Sequence, residues 1–169
     1  CVEPKGFTPA KRKGMLQSIR DRDYDGIIMA YSCFERIELS REYYIQELEQ
    51  TQAEIEKLLQ KFRGATGQLR RRADAVTDEL YKTIAKTIED EDAIFFDELG
   101  ITRLFVDEAH NFKNVPIGTK ADKVLGINAK GSQKCQDMMD KVHCVQKSND
   151  GGGVVMATGT PITNSITDA

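Results

Sequence analysis

At 169 residues the chain can fill one domain, and 40% hydrophobic residues are enough to build a sizeable core. Its 24 basic and 27 acidic residues leave a net charge of -3, a balance that neither demands nor excludes nucleic acid, so local clusters matter more than the total. No apolar run reaches the length of a membrane span and no signal peptide is present, which predicts a cytoplasmic location.

Residues 1–13 are polar, interrupted by Pro4, Gly6 and Pro9, and end in Lys11-Arg12-Lys13; this pattern predicts a loop. A short amphipathic helix is expected next, with Met15, Leu16 and Ile19 on one face. The apolar run Ile27-Ile28-Met29-Ala30-Tyr31 has strand length and the character of a parallel strand covered on both faces. Residues 40–63 change character. Ser40 is a plausible N-cap with Glu42 in the first turn, and Tyr44, Leu48, Ile55, Leu59 and Phe62 recur at helical spacing. Gly64-Ala65-Thr66-Gly67 breaks this stripe, and a second runs through Leu69, Ala73, Val76, Leu80, Ile84 and Ile88. Two stripes around a glycine turn predict an antiparallel helical hairpin over 41–63 and 68–90.

An α/β rhythm resumes from residue 94. Ile101 to Val106 reads as a strand that stops at Asp107-Glu108, and Cys135, Met138, Met139, Val142 and Val145 mark a helix face. A turn over 148–153 leads to Val154-Val155-Met156-Ala157, a further buried strand ending at Thr158-Gly159-Thr160-Pro161. The expectation is a parallel α/β sheet made of residues 27–31, 102–106 and 154–157, carried by segments 1–39 and 94–169, with residues 40–93 inserted as the hairpin.

The four cysteines contain no C-x-x-C pair and read as reduced small hydrophobes; Cys135, His143 and Cys144 match no common structural zinc spacing. Among the charged residues, Asp107 and Glu108 carry the strongest chemical signal. Nucleotide hydrolysis needs a metal ion on the phosphates and a group that orients the attacking water. One carboxylate at a strand end can hold the metal, and a second beside it can polarise the nucleophile. An acidic pair alone is a common way to end a strand, so the flanking residues decide its meaning.

Asp107-Glu108-Ala109-His110-Asn111-Phe112-Lys113-Asn114 resembles motif II of superfamily 2 helicases, in the form found in Swi/Snf-like DNA translocases. Ala157-Thr158-Gly159-Thr160-Pro161-Ile162-Thr163-Asn164 resembles motif III of the same family, and Tyr24 to Tyr31 looks like its motif Ib. The long helical insert and Ser32 to Ile37 are similar to large helicase-like proteins of bacterial mobile elements, some of which carry a fused DNA methyltransferase. The resemblance implies a partial RecA-like lobe of the P-loop NTPase type, with ATP as substrate, magnesium as cofactor and double-stranded DNA as partner. It implies that Asp107 positions magnesium, that Glu108 activates water, and that His110, Thr158, Gly159 and Thr160 couple nucleotide state to movement on DNA. No Gly-x-x-x-x-Gly-Lys-Thr/Ser occurs in the chain, so the phosphate cradle is expected upstream in a parent protein and the isolated chain is expected to be inactive. Lys11, Arg12, Lys13, Arg70, Arg71 and Arg72 are candidate phosphate contacts, although basic clusters are commonly solvated surface. The alternative is that the hairpin serves as a protein- or DNA-binding module on a scaffold that does not hydrolyse nucleotide.

Overall fold

The computed structural model describes residues 1–22, 24–61, 66–85, 93–113 and 132–160. The chain divides into two compact units, Cys1–Ile37 with Phe96–Ala169, and Glu38–Phe95.

The first unit begins with α1, Pro9–Asp21. The predicted loop therefore ends at Thr8, and Lys11-Arg12-Lys13 lie on a helix. Pro9 starts this helix instead of breaking it. Its fixed φ suits the first helical position, where its missing N–H would be unpaired in any case, and the Thr8 carbonyl accepts the Lys11 and Arg12 N–H groups at 3.0 and 2.8 Å. Leu16 and Ile19 are buried on the inner face, as their spacing requires.

The expected strand over 27–31 does not join the sheet. Met29 forms an isolated parallel bridge with Val2, Ile28 is 75% exposed, and Tyr31 already opens the short helix α2, Tyr31–Phe34. Among the described residues the sheet has two strands, β1 (Leu104–Val106) and β2 (Val154–Met156), which run parallel with Leu104 opposite Val154 and Val106 opposite Met156. Both are shorter than the apolar runs predict. Their cover is one-sided: Val106 is buried, whereas Phe105, Val155 and Met156 are exposed, so the continuous apolar pattern does not here mean burial on both faces.

Helix α5, Gln133–Lys147, supplies the packing for this unit. Ser132 caps it by accepting the Cys135 N–H at 3.2 Å. Its buried face carries Cys135, Met138, Val142 and Val145, which meet the 3-10 turns Phe96–Glu98 and Ala109–Phe112 as well as β2. Lys141 lies within that face and is fully buried. Its ammonium donates to the Phe34 carbonyl at 2.9 Å and to Asp137 Oδ2 at 2.6 Å, and sits 4.5 Å from the Phe34 ring centroid. Burial raises the Asp137 carboxyl above the ordinary carboxylate range, and the Lys141 hydrogen bond and charge only partly oppose it.

After α5 the chain must reverse within six residues to enter β2. Asn149 Nδ2 closes the helix end on the Val145 carbonyl at 2.7 Å, and Gly153, at φ 86°, turns the chain into the strand while its carbonyl accepts Leu104 N–H at 2.8 Å. A Cβ at Gly153 would lie 2.9 Å from the Thr102 carbonyl oxygen, so only glycine fits.

The second unit contains α3, Arg41–Lys61, and α4, Thr66–Ala85, packed along each other. Ser40 caps α3, accepting Tyr43 N–H on Oγ at 3.0 Å. Gln52 donates to Thr77 Oγ1 across the seam at 3.4 Å, and Ile55 and Val76 are both buried. Only four residues separate the two helices, too few to return along a helix of 21 residues, so helices packed along each other with this connection run antiparallel. Of the predicted turn Gly64-Ala65-Thr66-Gly67, Thr66 and Gly67 instead open α4, two residues earlier than the second stripe suggests, while residues 64 and 65 and the end of that stripe at Ile88 lie outside the described residues. Tyr44, at the start of the first stripe, and Ile84, near the end of the second, are exposed.

Among the described residues, no helix is long and apolar enough to cross a membrane.

Candidate functional site

Two chain crossings meet at the carboxyl ends of β1 and β2. Past the last ladder pair, Ala157 N–H donates to the Val106 carbonyl at 2.8 Å and Ala109 N–H donates to the Ala157 carbonyl at 2.9 Å. These two bonds hold the Asp107-Glu108 turn against the segment Thr158-Gly159-Thr160, about fifty residues away in sequence.

Glu108 occupies the left-handed region, at φ 47° and ψ 45°. A Cβ-bearing residue pays for that backbone, by roughly 1–2 kcal/mol, and the surrounding hydrogen bonds hold it there. Asp107 Oδ1 accepts the Glu108 N–H at 2.9 Å. The Glu108 carbonyl accepts from both the backbone N–H and Nδ2 of Asn111, each at 3.0 Å. On the other side, the Tyr31 hydroxyl donates to the Asp107 carbonyl. The Tyr31 ring meets Phe112 edge-on at 4.9 Å between centroids, and the Lys134 ammonium stands 4.6 Å from the Phe112 centroid. Burial chiefly, then the charges of Asp107 and Glu108, raise the Tyr31 phenol above its ordinary value, which keeps it a donor.

The side chain of His110 is the meeting point. Its Nδ1 lies 3.1 Å from Glu108 Oε2, 3.0 Å from Thr158 Oγ1 and 3.2 Å from Thr160 Oγ1. A ring nitrogen carries either one hydrogen or one lone pair, so it cannot serve three oxygens equally. If Nδ1 bears hydrogen, the carboxylate is the strongest acceptor in reach; if it does not, one threonine hydroxyl donates to it. Thr158 Oγ1 also accepts the Thr160 N–H at 3.2 Å, which ties the two threonines to each other. The arrangement has alternative hydrogen-bonded states that differ by a proton position and a side-chain rotation.

The sequence-predicted residues are thus brought together in part. Asp107, Glu108, His110, Thr158 and Thr160 share one cluster, with Gly159 exposed between the threonines and open space where its Cβ would be. Asp107 presents an oxygen that has no partner among the described residues. Of the basic candidates, Lys11, Arg12 and Lys13 lie on α1 and Arg70, Arg71 and Arg72 on α4 of the second unit. Arg12 is half-buried, donates to the Arg36 carbonyl at 3.3 Å and places its guanidinium 5.4 Å from the Phe7 ring centroid, so it holds α1 against its neighbours. Lys11 and Lys13 are exposed, as are Arg70, Arg71 and Arg72 on α4. Three consecutive helical positions point about 100° apart, so these arginines cannot all face one phosphate track. Tyr31, Asn111 and Lys141 escaped the sequence reading. For Lys141 a signal was present: it falls three residues after Met138 and four before Val145, on the apolar stripe itself, with Asp137 one turn earlier.

A family model described as "Probable helicase domain" matches residues 2–169. The chain belongs to this family. This helicase domain is also 31% identical, over 77 residues, to "Defense against restriction protein B" of Escherichia phage P1; the match covers 44% of the chain and 3% of that much longer relative. No solved structure matches.

Proposed function

We propose that this helicase domain forms part of the first motor lobe of an ATP-dependent DNA translocase of the Swi/Snf-like type, and that Asp107 and Glu108 serve its hydrolysis step. The observation that carries the reading is the convergence of Glu108, His110, Thr158 and Thr160 at the carboxyl ends of neighbouring parallel strands. Open α/β sheets place ligands at that end.

The donor set fits magnesium in the manner this ion prefers. Magnesium keeps most of its waters and binds through one or two carboxylates together with substrate phosphates, and Asp107 offers one carboxylate whose other oxygen is locked into the turn. When bound, magnesium neutralises charge that develops on the transferred phosphoryl group. Glu108, with its side chain more than half exposed, can reach a water molecule beside the substrate and draw off its proton. His110 then has a second task. While Glu108 Oε2 is engaged with His110, the threonines compete for the same nitrogen; when Glu108 turns to water and nucleotide, His110 is released to Thr158 and Thr160. Nucleotide state is thereby transmitted to the segment following β2, and movement on DNA follows from it. Exposed Lys11 and Lys13 and the exposed arginines of α4, which do not all share one phosphate track, are the proposed phosphate contacts, and Arg12 leaves that set.

The test is Glu108→Gln in the full-length protein, measured for ATP binding and for ATP hydrolysis with and without DNA. Hydrolysis should fall by at least about a hundredfold, while binding stays within about twofold, because size and hydrogen bonding are kept and only the basic oxygen is lost. Near-normal hydrolysis by this variant would refute the role of Glu108.

A further inference from the structure

The Asp107–Glu108 peptide is the hinge on which both proposed catalytic carboxylates hang, and its orientation is held from two sides. Asn111 fixes the Glu108 carbonyl with two hydrogen bonds, and Asp107 Oδ1 fixes the Glu108 N–H. Both partners belong to the same short turn and would travel with it. The Tyr31 hydroxyl is different, because it reaches the Asp107 carbonyl from a segment 76 residues earlier. Its ring is braced against Phe112, and the Lys134 ammonium stands 5.9 Å from its centroid while pairing with Glu35 Oε1 at 3.5 Å. Beside the Ala109–Ala157 bond at the sheet, Tyr31 is therefore a second tie that refers the turn to the body of the unit, and the left-handed Glu108 backbone gives the turn a reason to relax when this tie is cut.

We infer that Tyr31 is a positioning residue for the Asp107-Glu108 pair: its hydroxyl holds the connecting peptide so that the two carboxylates are presented together at the strand end. The inference rests on the hydrolysis reading for its catalytic consequence, but the orientation it describes can be measured without any activity. Tyr31 is half-buried and its ring contact would survive in phenylalanine, so Tyr31→Phe should fold.

The experiment compares wild type and Tyr31→Phe in the full-length protein by amide hydrogen exchange, thermal unfolding and steady-state ATPase kinetics. Exchange at the Glu108 and Ala109 amides should rise by about tenfold, with Leu104 to Val106 unchanged, as expected for loss of one tethering hydrogen bond. kcat should fall by about tenfold with KM within about twofold, since a displaced carboxylate weakens the transition state more than substrate binding. Unchanged exchange at 108–109 would overturn the inference, as would exchange that rises evenly across the unit, the mark of a merely structural role. A rise in KM with kcat preserved would also overturn it. If wild type itself hydrolyses no ATP, the hydrolysis reading falls, and the exchange measurement still decides whether Tyr31 orients the turn.

Discussion

Removing either partner of the Lys141–Asp137 pair should have sharply unequal effects. Lys141 is fully buried, while the Asp137 side chain keeps 25% of its exposure. Asp137→Ala leaves an ammonium buried without its carboxylate, a change that costs about 3–5 kcal/mol in buried pairs. The Phe34 carbonyl and the nearby Phe34 and Phe96 rings still solvate that ammonium, so the lower end, about 3 kcal/mol, is expected. Lys141→Met should change stability by only about 1 kcal/mol in either direction. Methionine fills the buried volume, and Asp137 can turn to water or take a proton, to which its raised pKa already inclines it. In thermal unfolding, Asp137→Ala should lower Tm by roughly 6–12 °C and Lys141→Met by no more than roughly 4 °C. The double variant should recover most of the loss. The pH dependence has a defined sign. A carboxyl whose folded pKa is raised binds its proton more tightly in the native state, so its contribution is fully present below the unfolded value and is lost as pH rises through the folded value. Asp137→Asn should therefore fall further behind wild type as the pH drops into the ordinary carboxylate range. Equal losses for Asp137→Ala and Lys141→Met, or additive losses in the double variant, would refute the reasoning.

Two further outcomes follow from the site and its scaffold. Thr160→Ala in the full-length protein should leave basal hydrolysis within about twofold and reduce its stimulation by DNA about fivefold, because one of three oxygens competing for His110 Nδ1 is lost while Glu108 is untouched; ATPase rates beside a strand-displacement assay measure both. Gly153→Ala should destabilise the chain by about 2 kcal/mol or more in urea unfolding, since the new Cβ would meet the Thr102 carbonyl and the residue would be held at positive φ.

Local periodicity was sufficient for the elements whose partners are also local. The stripes of α3 and α4 and the Ser40 cap are legible because helix spacing and capping act within a few residues. The motif resemblance groups His110 with Thr158 and Thr160, and the backbone bonds beyond Val106 and Met156 bring them into contact. The run 27–31 misled because a continuous apolar segment looks the same whether it enters a sheet or makes one bridge and turns into a helix. Pro9 reads as a breaker because loop and helix-start positions share the same residue, and only the following turn distinguishes them. Tyr31 is not legible as a tie, since it acts on a backbone carbonyl far away in sequence and a carbonyl leaves no mark on residue identity; Lys141 leaves its mark on the apolar stripe of α5, but its acceptor, the Phe34 carbonyl, leaves none.

If Glu108 serves hydrolysis as proposed, its left-handed backbone sets stability and activity against each other at a single position. Glycine or asparagine would sit in that conformation with less strain, so a population of variants selected only for resistance to unfolding should drift toward them at 108. Every such variant would lose the carboxylate at the strand end. Retention of glutamate under selection for function, and its replacement under selection for folding alone, would make this residue an internal gauge of which demand the sequence has been under.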